Sequence, residues 1–440
     1  MCFLFGLVVI VNAMSRSSEL YMNKMIHDTY KTSSLQEGIE NSMQSILYLP
    51  GAIASTIIYN KYSLKTGIMF GVLFQTVGSC FKLLLKADMV YFMFIGQAFW
   101  SIAYPFIIIP TTLVSLNWFE DSKRVLMISI LVTWWFFGSV LGNGLSSIIV
   151  EKNSKDQEDN KETIFKIYTF LASASAAIFL LVVFTFRSRP RNPPSSAAVV
   201  YRDDDILGTY RALYKNRQFR FLCLSHTFYF ALIPAIYLSR IDIIKPYGYT
   251  QEQADRSGFI SISWGLVGSL LCGLFLHKTK MYKTANILIG LFLLIANATM
   301  IGALRWWYIA FTINLAVIGF FGFPITTIWY AYACEIAYPL KETTVTGVYT
   351  TFGEVFGIGI GYISVYLARH VEGETGSVLC LCVIIFSLLI GTICAFMMKP
   401  IEYEEITSSQ ISKPFFIKFY FSFCFIYGVK GICLLREDTK

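Results

Sequence analysis

Two charged residues lie inside stretches that are otherwise apolar. Arg16 follows an apolar run that begins at Met1, and Glu354 lies within the stretch 343–368. A charge near the centre of a bilayer costs about 2.5–3.5 kcal/mol on insertion scales, so such a residue usually faces a cavity or a partner. A guanidinium can bind a carboxylate or phosphate through two hydrogen bonds. Both residues are candidate substrate ligands; a mutual salt bridge, or pairing of Arg16 with Glu19, is the structural alternative.

Aromatic residues in neighbouring apolar stretches are a second possible source of binding chemistry. Trp100, Tyr104, Tyr229 and Tyr237 can present ring faces to a cationic or planar ligand. His226 can in principle relay protons. Packing inside a helical bundle, or a place in the interfacial belt, is the simpler explanation for each of them.

Motifs for metal binding, nucleotide binding and disulfide formation are missing from the sequence. The ten cysteines form no CxxC pair, the four histidines form no HExxH, and GxxxxGK[ST] does not occur. An intramembrane enzyme would need a catalytic pair, and only Arg16 and Glu354 stand out. We therefore predict a protein that is not an enzyme, binds no metal and uses no cofactor.

The composition indicates which elements hold these residues. Of the 440 residues, 55% are hydrophobic and only 15% are charged, and the mean hydropathy is +0.57. A soluble domain is about 25% charged, and its core could not hold 38 Phe and 26 Tyr side chains. The net charge of +8 forms no evident basic patch for nucleic acid. We predict an all-α polytopic protein embedded in a lipid bilayer.

Hydrophobic windows of roughly 20 residues predict the membrane-spanning helices. They are twelve in number and cover residues 2–28, 40–60, 66–86, 89–117, 124–150, 164–186, 219–241, 256–276, 284–303, 306–333, 343–368 and 377–398. This division predicts a six-helix half at 1–186, a linker at 187–218, a second six-helix half at 219–398 and a cytoplasmic or interfacial tail at 399–440.

Two loops half a chain apart resemble each other. Asn60-Lys61-Tyr62-Ser63-Leu64-Lys65 follows the second span, and His277-Lys278-Thr279-Lys280-Met281-Tyr282-Lys283 follows the eighth. Their offset is 277 − 60 = 217 residues, which predicts two pseudo-symmetric halves. Basic residues concentrate in these loops and in the linker, so both termini are predicted to be cytoplasmic. The predicted inner gate consists of Asn60, Lys65, His277, Lys280, Lys283 and Glu335.

The first span changes character along its length. It is apolar for about fourteen residues and then carries Ser15, Arg16, Ser17, Ser18 and Glu19. Either its second part lines a water-filled vestibule, or the helix ends early. Glycines four residues apart, at 138/142 and 353/357, predict close contacts between helices.

Several motifs, in this order and spacing, resemble one family. They are Gly96-Gln97, Trp118-Phe119, Leu141-Gly142-Asn143, Val267-Gly268-Ser269-Leu270-Leu271-Cys272-Gly273, Glu335-Ile336-Ala337-Tyr338-Pro339 and Val355-Phe356-Gly357-Ile358. From about residue 8 to 398 the chain resembles the feline leukaemia virus subgroup C receptor-related family of major facilitator transporters. The resemblance implies transport of choline or ethanolamine, with haem also proposed, by rocking of two halves.

Departures from the family pattern fall on the candidate binding residues. Asn12 matches, but Arg16 replaces a family Trp that helps to cage a quaternary ammonium, and Glu354 and Tyr104 replace family glutamines. The family's cage tyrosine in the seventh span has no direct counterpart, and Tyr229 or Tyr237 takes its place only after a small shift in the alignment. The resemblance thus implies a substrate site at Asn12, Arg16, Gln97, Tyr104, Tyr229, Tyr237 and Glu354.

The loops after the second and eighth spans depart as well. The family has Asp at the positions of Asn60 and His277, and those acids normally hold helices together at the inner face. We therefore expect the gating contacts here to be different or weaker.

The predicted function is transport of a small organic solute (choline-like or ethanolamine-like, zwitterionic, or haem) by alternating access. The alternative is a membrane receptor or sensor that keeps the transporter fold without transporting. The predicted protein is a monomer in the plasma membrane or an organelle membrane.

Overall fold

The computed structural model describes residues 1–153, 157–194 and 205–400. Within this part the chain is helical, without β-strands. The predicted tail therefore lies almost entirely outside the described residues, as does the middle of the linker. The helices are α1 (Cys2–Tyr30), α2 (Ser34–Lys61), α3 (Leu64–Leu83), α4 (Tyr91–Ile108), α5 (Thr111–Trp118), α6 (Arg124–Asn153), α7 (Gln157–Thr185), α8 (Ile206–Lys215), α9 (Arg217–Phe230), α10 (Leu232–Leu238), α11 (Arg240–Ile244), α12 (Gln251–Thr279), α13 (Tyr282–Trp306), α14 (Tyr308–Gly322), α15 (Pro324–Ala337), α16 (Glu342–Thr351), α17 (Ile358–His370) and α18 (Glu374–Met397).

The helices reproduce the predicted polytopic membrane protein. Eleven helical stretches in the described residues are long and apolar enough to cross a membrane. The predicted second span is the 28-residue helix α2, whose first half carries Glu40, Gln44 and Ser45 and is less apolar than the others. Its start is fixed by a capping box between Ser33 and Gln36. The predicted linker contains the short helix α8.

Four of the spans are interrupted. Pro110 separates α4 from α5, Ala231 separates α9 from α10, and Phe323 with Pro324 separates α14 from α15. In the eleventh span, residues Phe352–Gly357 form a π-helical turn between α16 and α17. Such turns are rare and occur frequently at functional sites, and this one contains Glu354.

Glycines bring particular helices into close contact, as their spacing predicts. A Cβ atom on Gly138 would lie 2.4 Å from the Ile10 carbonyl oxygen, and one on Gly142 would lie 2.4 Å from that of Met14. A Cβ on Gly357 would lie 2.7 Å from the Thr227 oxygen. The close packing of α6 on α1, and of the π-helical turn on α9, confirms the prediction.

The polar part of the first span does not end the helix. Helix α1 continues to Tyr30, so the alternative of an early end is wrong. Its polar side chains are mostly buried against neighbouring helices: the Ser18 hydroxyl donates to the Gly142 carbonyl at 3.1 Å, and Glu19 is 3% exposed. This polar face therefore packs within the first six spans.

The bundle consists of two halves and has two ends. The N-half comprises α1–α7 and the C-half α9–α18. The linker end is the end at which α7 ends and α9 begins; it also holds the loops after α2, α5, α12 and α15. The other end of the bundle is called the opposite end.

Candidate functional site

The structure connects Arg16 and Glu354 through two stacked rings. The Arg16 guanidinium carbon lies 5.6 Å from the centre of the Trp100 ring. Trp100 stacks on Tyr104 with centroids 5.5 Å apart. The Tyr104 hydroxyl donates a hydrogen bond of 3.0 Å to Oε1 of Glu354. The two predicted charged ligands thus lie at the two ends of an aromatic pair supplied by α4.

Glu354 is buried with half of its hydrogen-bonding capacity unused. Its side chain is 5% exposed, and Oε2 has no hydrogen-bond partner among the described residues. An unsatisfied buried acceptor costs roughly 1–3 kcal/mol, more when it is charged. Tyr48 completes the aromatic surroundings, because its ring meets Tyr104 edge to face at 5.7 Å. The arrangement suits a ligand that brings a positive charge or a donor to Oε2.

Arg16 also has unused capacity. The nearest carboxylate oxygen is Oε2 of Glu19, at 4.0 Å, and Arg16 makes no hydrogen bond to a described residue. Glu19 is already engaged, because its Oε1 accepts a hydrogen bond of 2.6 Å from Nζ of Lys82. The predicted salt bridge between Arg16 and Glu354 is not formed, although the two are close enough to interact electrostatically. The Arg16 guanidinium is 12% exposed.

Glu19 is neutralised by direct contact with Lys82, although the buried carboxylate of Glu40 also interacts electrostatically with it. Arg16 and Glu354 remain as two opposite charges that form no salt bridge with each other but interact electrostatically.

Two other predicted ligands are held within the N-half. The Asn12 amide donates to Oε1 of Gln75 at 2.9 Å, and Gln75 in turn donates to Ser175 at 3.2 Å. Gln97 is fully buried and accepts a hydrogen bond of 2.8 Å from Lys82. Through Lys82, Gln97 helps to hold Glu19 close to Arg16.

Tyr229 and Tyr237 lie in a separate part of the C-half. Both line a small pocket together with Phe323 and Trp329. Their hydroxyls are occupied, that of Tyr229 by Thr392 and that of Tyr237 by Ser261. None of their contacts within the described residues joins them to Arg16 or Glu354.

His226 is packed and not open to a ligand. Its Nδ1 bonds to the Tyr349 carbonyl at 3.0 Å, and its ring lies 4.1 Å from that of Trp329. This geometry agrees with the structural alternative for His226.

At the linker end, Asn60 joins the two halves. Its amide nitrogen donates to the Thr344 hydroxyl at 2.9 Å, and its oxygen accepts from the Thr343 hydroxyl at 2.7 Å. Thr343 and Thr344 lie in the first turn of α16. The Asn60 amide therefore makes a contact between the halves, which we expected to be weakened by the absence of the family's aspartate. Lys65, by contrast, donates to the Val183 carbonyl at 2.6 Å within the N-half.

Three further contacts close the linker end, and the sequence reasoning did not find them. Arg124 at the start of α6 forms an ion pair with Glu342 at the start of α16, and the hydroxyls of Thr112 and Thr346 lie 2.9 Å apart. Ser129 donates to the Ser269 carbonyl at 2.7 Å.

The internal repeat was a signal that could have identified the ion pair. The offset 342 − 124 = 218 nearly equals the 217 residues between the two similar loops. Arg124 and Glu342 are thus the first residues of equivalent spans in the two halves, and their side chains carry opposite charges.

Two of the remaining predicted gate residues, Glu335 and Lys280, interact with each other near this ion pair. Glu335 lines a pocket beside Arg124 and Glu342. Lys280 ends α12 in the left-handed backbone region (φ 53°) and interacts electrostatically with Glu335. His277 lies in the last turn of α12, and Lys283 in the first turn of α13.

Reversing one charge of the Arg124–Glu342 pair is expected to open the linker end. In Arg124→Glu, two carboxylates face each other, so a cysteine placed at Thr346 becomes reactive to thiol reagents applied from the linker side. The double variant Arg124→Glu/Glu342→Arg restores attraction and should restore protection. The matched control is the Arg305–Glu374 pair (2.8 Å) within the C-half, whose reversal leaves labelling unchanged. Equal labelling of the single and double variants would refute the gate.

The fold and this arrangement define the class of protein. The sequence pattern of the Major Facilitator Superfamily matches residues 5–362, so the chain belongs to this superfamily of membrane transporters. The solved structure of the transporter FucP in the outward conformation shares the fold with a TM-score of 0.73 at 13% identity; the match covers 90% of this chain and 98% of FucP.

Within the superfamily, several of the similar proteins are choline/ethanolamine transporters. The zebrafish (Danio rerio) choline/ethanolamine transporter flvcr2a is 27% identical over 417 residues, which cover 90% of this chain and 85% of that protein. The rat (Rattus norvegicus) choline/ethanolamine transporter FLVCR2 is 24% identical over 353 residues, covering 77% of this chain and 63% of the rat protein. The predicted resemblance to the receptor-related family is confirmed.

Proposed function

We propose that this protein transports a small organic solute with an ammonium group and binds it at Glu354. The observation that carries the proposal is the buried, unpartnered Oε2 of Glu354 beside the rings of Trp100 and Tyr104. An ammonium there would gain a charge-assisted hydrogen bond. A cation–π contact adds about 0.5–2 kcal/mol. The similar transporters are named for choline and ethanolamine, which supports an amine.

Alternating access is supported by where the halves touch. At the linker end, Asn60 and Arg124 bind the start of α16. At the opposite end, the ion pairs Lys161–Asp88, Arg305–Glu374 and Arg369–Asp242 each join helices of one half. The halves can therefore separate at the opposite end without breaking these pairs, and the solute enters from that end.

The concentration of basic residues in its loops supports a cytoplasmic location for the linker end. We also propose that the protein spans the membrane as a monomer. A cysteine in place of Glu372, exposed at the opposite end, should react with an impermeant thiol reagent applied to intact cells. A cysteine in place of Lys278, exposed at the linker end, should react only after permeabilisation. The reverse pattern would contradict the orientation.

Uptake by purified protein in liposomes tests the function. We expect saturable uptake of at least one of four solutes, namely ethanolamine, choline, β-alanine and glycine betaine, above the rate of empty liposomes. Saturable binding without any uptake would favour the alternative of a receptor with a transporter fold.

A further inference from the structure

Arg16 presents a binding capacity that an ammonium does not use. Its guanidinium carries five N–H donors, donates none of them to a described residue and is 12% exposed. Among the described residues, the carboxylate that comes within 4.0 Å of Arg16 is that of Glu19, and Lys82 already holds it at 2.6 Å. The charge of Arg16 is therefore only weakly compensated.

Glu354 presents the complementary capacity. Its Oε1 is taken by Tyr104, while Oε2 is buried and without a donor. The rings of Trp100 and Tyr104 lie between the two charges. The pair thus offers one cationic and one anionic group that do not satisfy each other and that are separated by an apolar, aromatic surface.

We propose that the solute is zwitterionic, with its ammonium at Glu354 and its carboxylate or phosphate on Arg16. This inference rests on the proposed function and adds the anionic group. A guanidinium binds either anion through two parallel hydrogen bonds. A bare cation would meet the repulsion of Arg16, whereas a zwitterion places each of its charges against the opposite one. Specificity for the anionic group therefore lies in Arg16.

Pairs of solutes that share the same ammonium group, and of which one also carries an anionic group, test the proposal on the unmodified protein. Ethanolamine and β-alanine share a primary ammonium and differ by hydroxyl against carboxylate; O-phosphoethanolamine carries a phosphate instead. Choline and glycine betaine form the quaternary pair. We expect kcat/KM in liposomes to be about 10- to 100-fold higher for the zwitterion, the range of a charged hydrogen bond. A preference for β-alanine would show that Arg16 binds a carboxylate, and a preference for O-phosphoethanolamine would show that it binds a phosphate.

Substitution then assigns the preference to a residue. Arg16→Gln should abolish the preference for the zwitterion, by lowering the kcat/KM ratio of β-alanine to ethanolamine toward one. Arg16→Lys keeps the charge without the two-pronged geometry and should keep part of the preference. The control Arg305→Gln removes an exposed arginine at the opposite end and should leave the ratio unchanged.

Failure of this inference can be told apart from failure of the proposed function. If ethanolamine and choline are taken up as well as their zwitterionic partners, or better, the inference is overturned and the amine transporter stands. The same holds if Arg16→Gln keeps the ratio of the unmodified protein. If none of the five solutes is taken up, the proposed function itself fails. The measurement on the unmodified protein decides even where Arg16→Gln does not fold.

Discussion

Uptake of ethanolamine and β-alanine is expected to fall about 10- to 100-fold in Glu354→Gln. The substitution keeps the size of the side chain and an acceptor for the Tyr104 hydroxyl, but it removes the charge that pairs with the ammonium. A hydrogen bond to a charged group contributes roughly 1.5–3 kcal/mol, which corresponds to this range. Choline should lose less, because a trimethylammonium group donates no N–H and depends more on the rings of Trp100 and Tyr104.

Two controls accompany this measurement. Tyr104→Phe removes the hydrogen bond to Oε1 and keeps the ring, so binding should weaken less than in Glu354→Gln. Glu372→Gln changes an exposed carboxylate at the opposite end and should have no effect. Equal uptake by Glu354→Gln and the unmodified protein would remove Glu354 from the binding site.

The largest loss of stability is expected in Lys82→Met. Lys82 and Glu19 are 7% and 3% exposed and lie 2.6 Å apart, so the substitution leaves a buried carboxylate without its main partner. Breaking a buried ion pair costs about 3–5 kcal/mol, which for a chain of this size lowers Tm by on the order of 3–5 °C. Thermal unfolding of the purified protein measures the change.

The matched control is Lys166→Met. The Lys166–Glu162 pair lies at 2.8 Å but is more than half exposed on both sides, and exposed pairs contribute about 0.2–1 kcal/mol. The double variant Lys82→Met/Glu19→Leu removes both charges and should recover most of the Tm, since apolar replacement of a buried pair is often neutral. A Tm of Lys82→Met equal to that of Lys166→Met would contradict this account.

Composition and apolar run length predicted the architecture, because a bilayer imposes the length of every span. Glycine spacing predicted the contact of α6 with α1, since that contact depends on two small residues one turn apart. Arg16 and Glu354 were recognisable because a charge inside an apolar stretch is costly wherever the chain folds.

Contacts between distant spans were not predictable in the same way. Lys82 lies near the end of its span and is typical of an interfacial lysine by sequence, yet it reaches a buried glutamate 63 residues away. The structural alternative paired Arg16 with Glu19, but Lys82 takes the shorter contact. The presence of Asn60 where the family has an aspartate suggested a weaker contact between helices at the inner face. An amide can both donate and accept hydrogen bonds, however, and Asn60 binds two threonines of α16.

Counterflow in liposomes tests the central claim, which is transport by alternating access from a site at Glu354. Vesicles loaded with unlabelled β-alanine or ethanolamine should accumulate the labelled solute transiently above its outside concentration, because one site faces the two sides in turn. Glu354→Gln, reconstituted to the same density, should lose this overshoot. Simple equilibration without overshoot in the unmodified protein, or an overshoot equal to it in Glu354→Gln, would contradict the account.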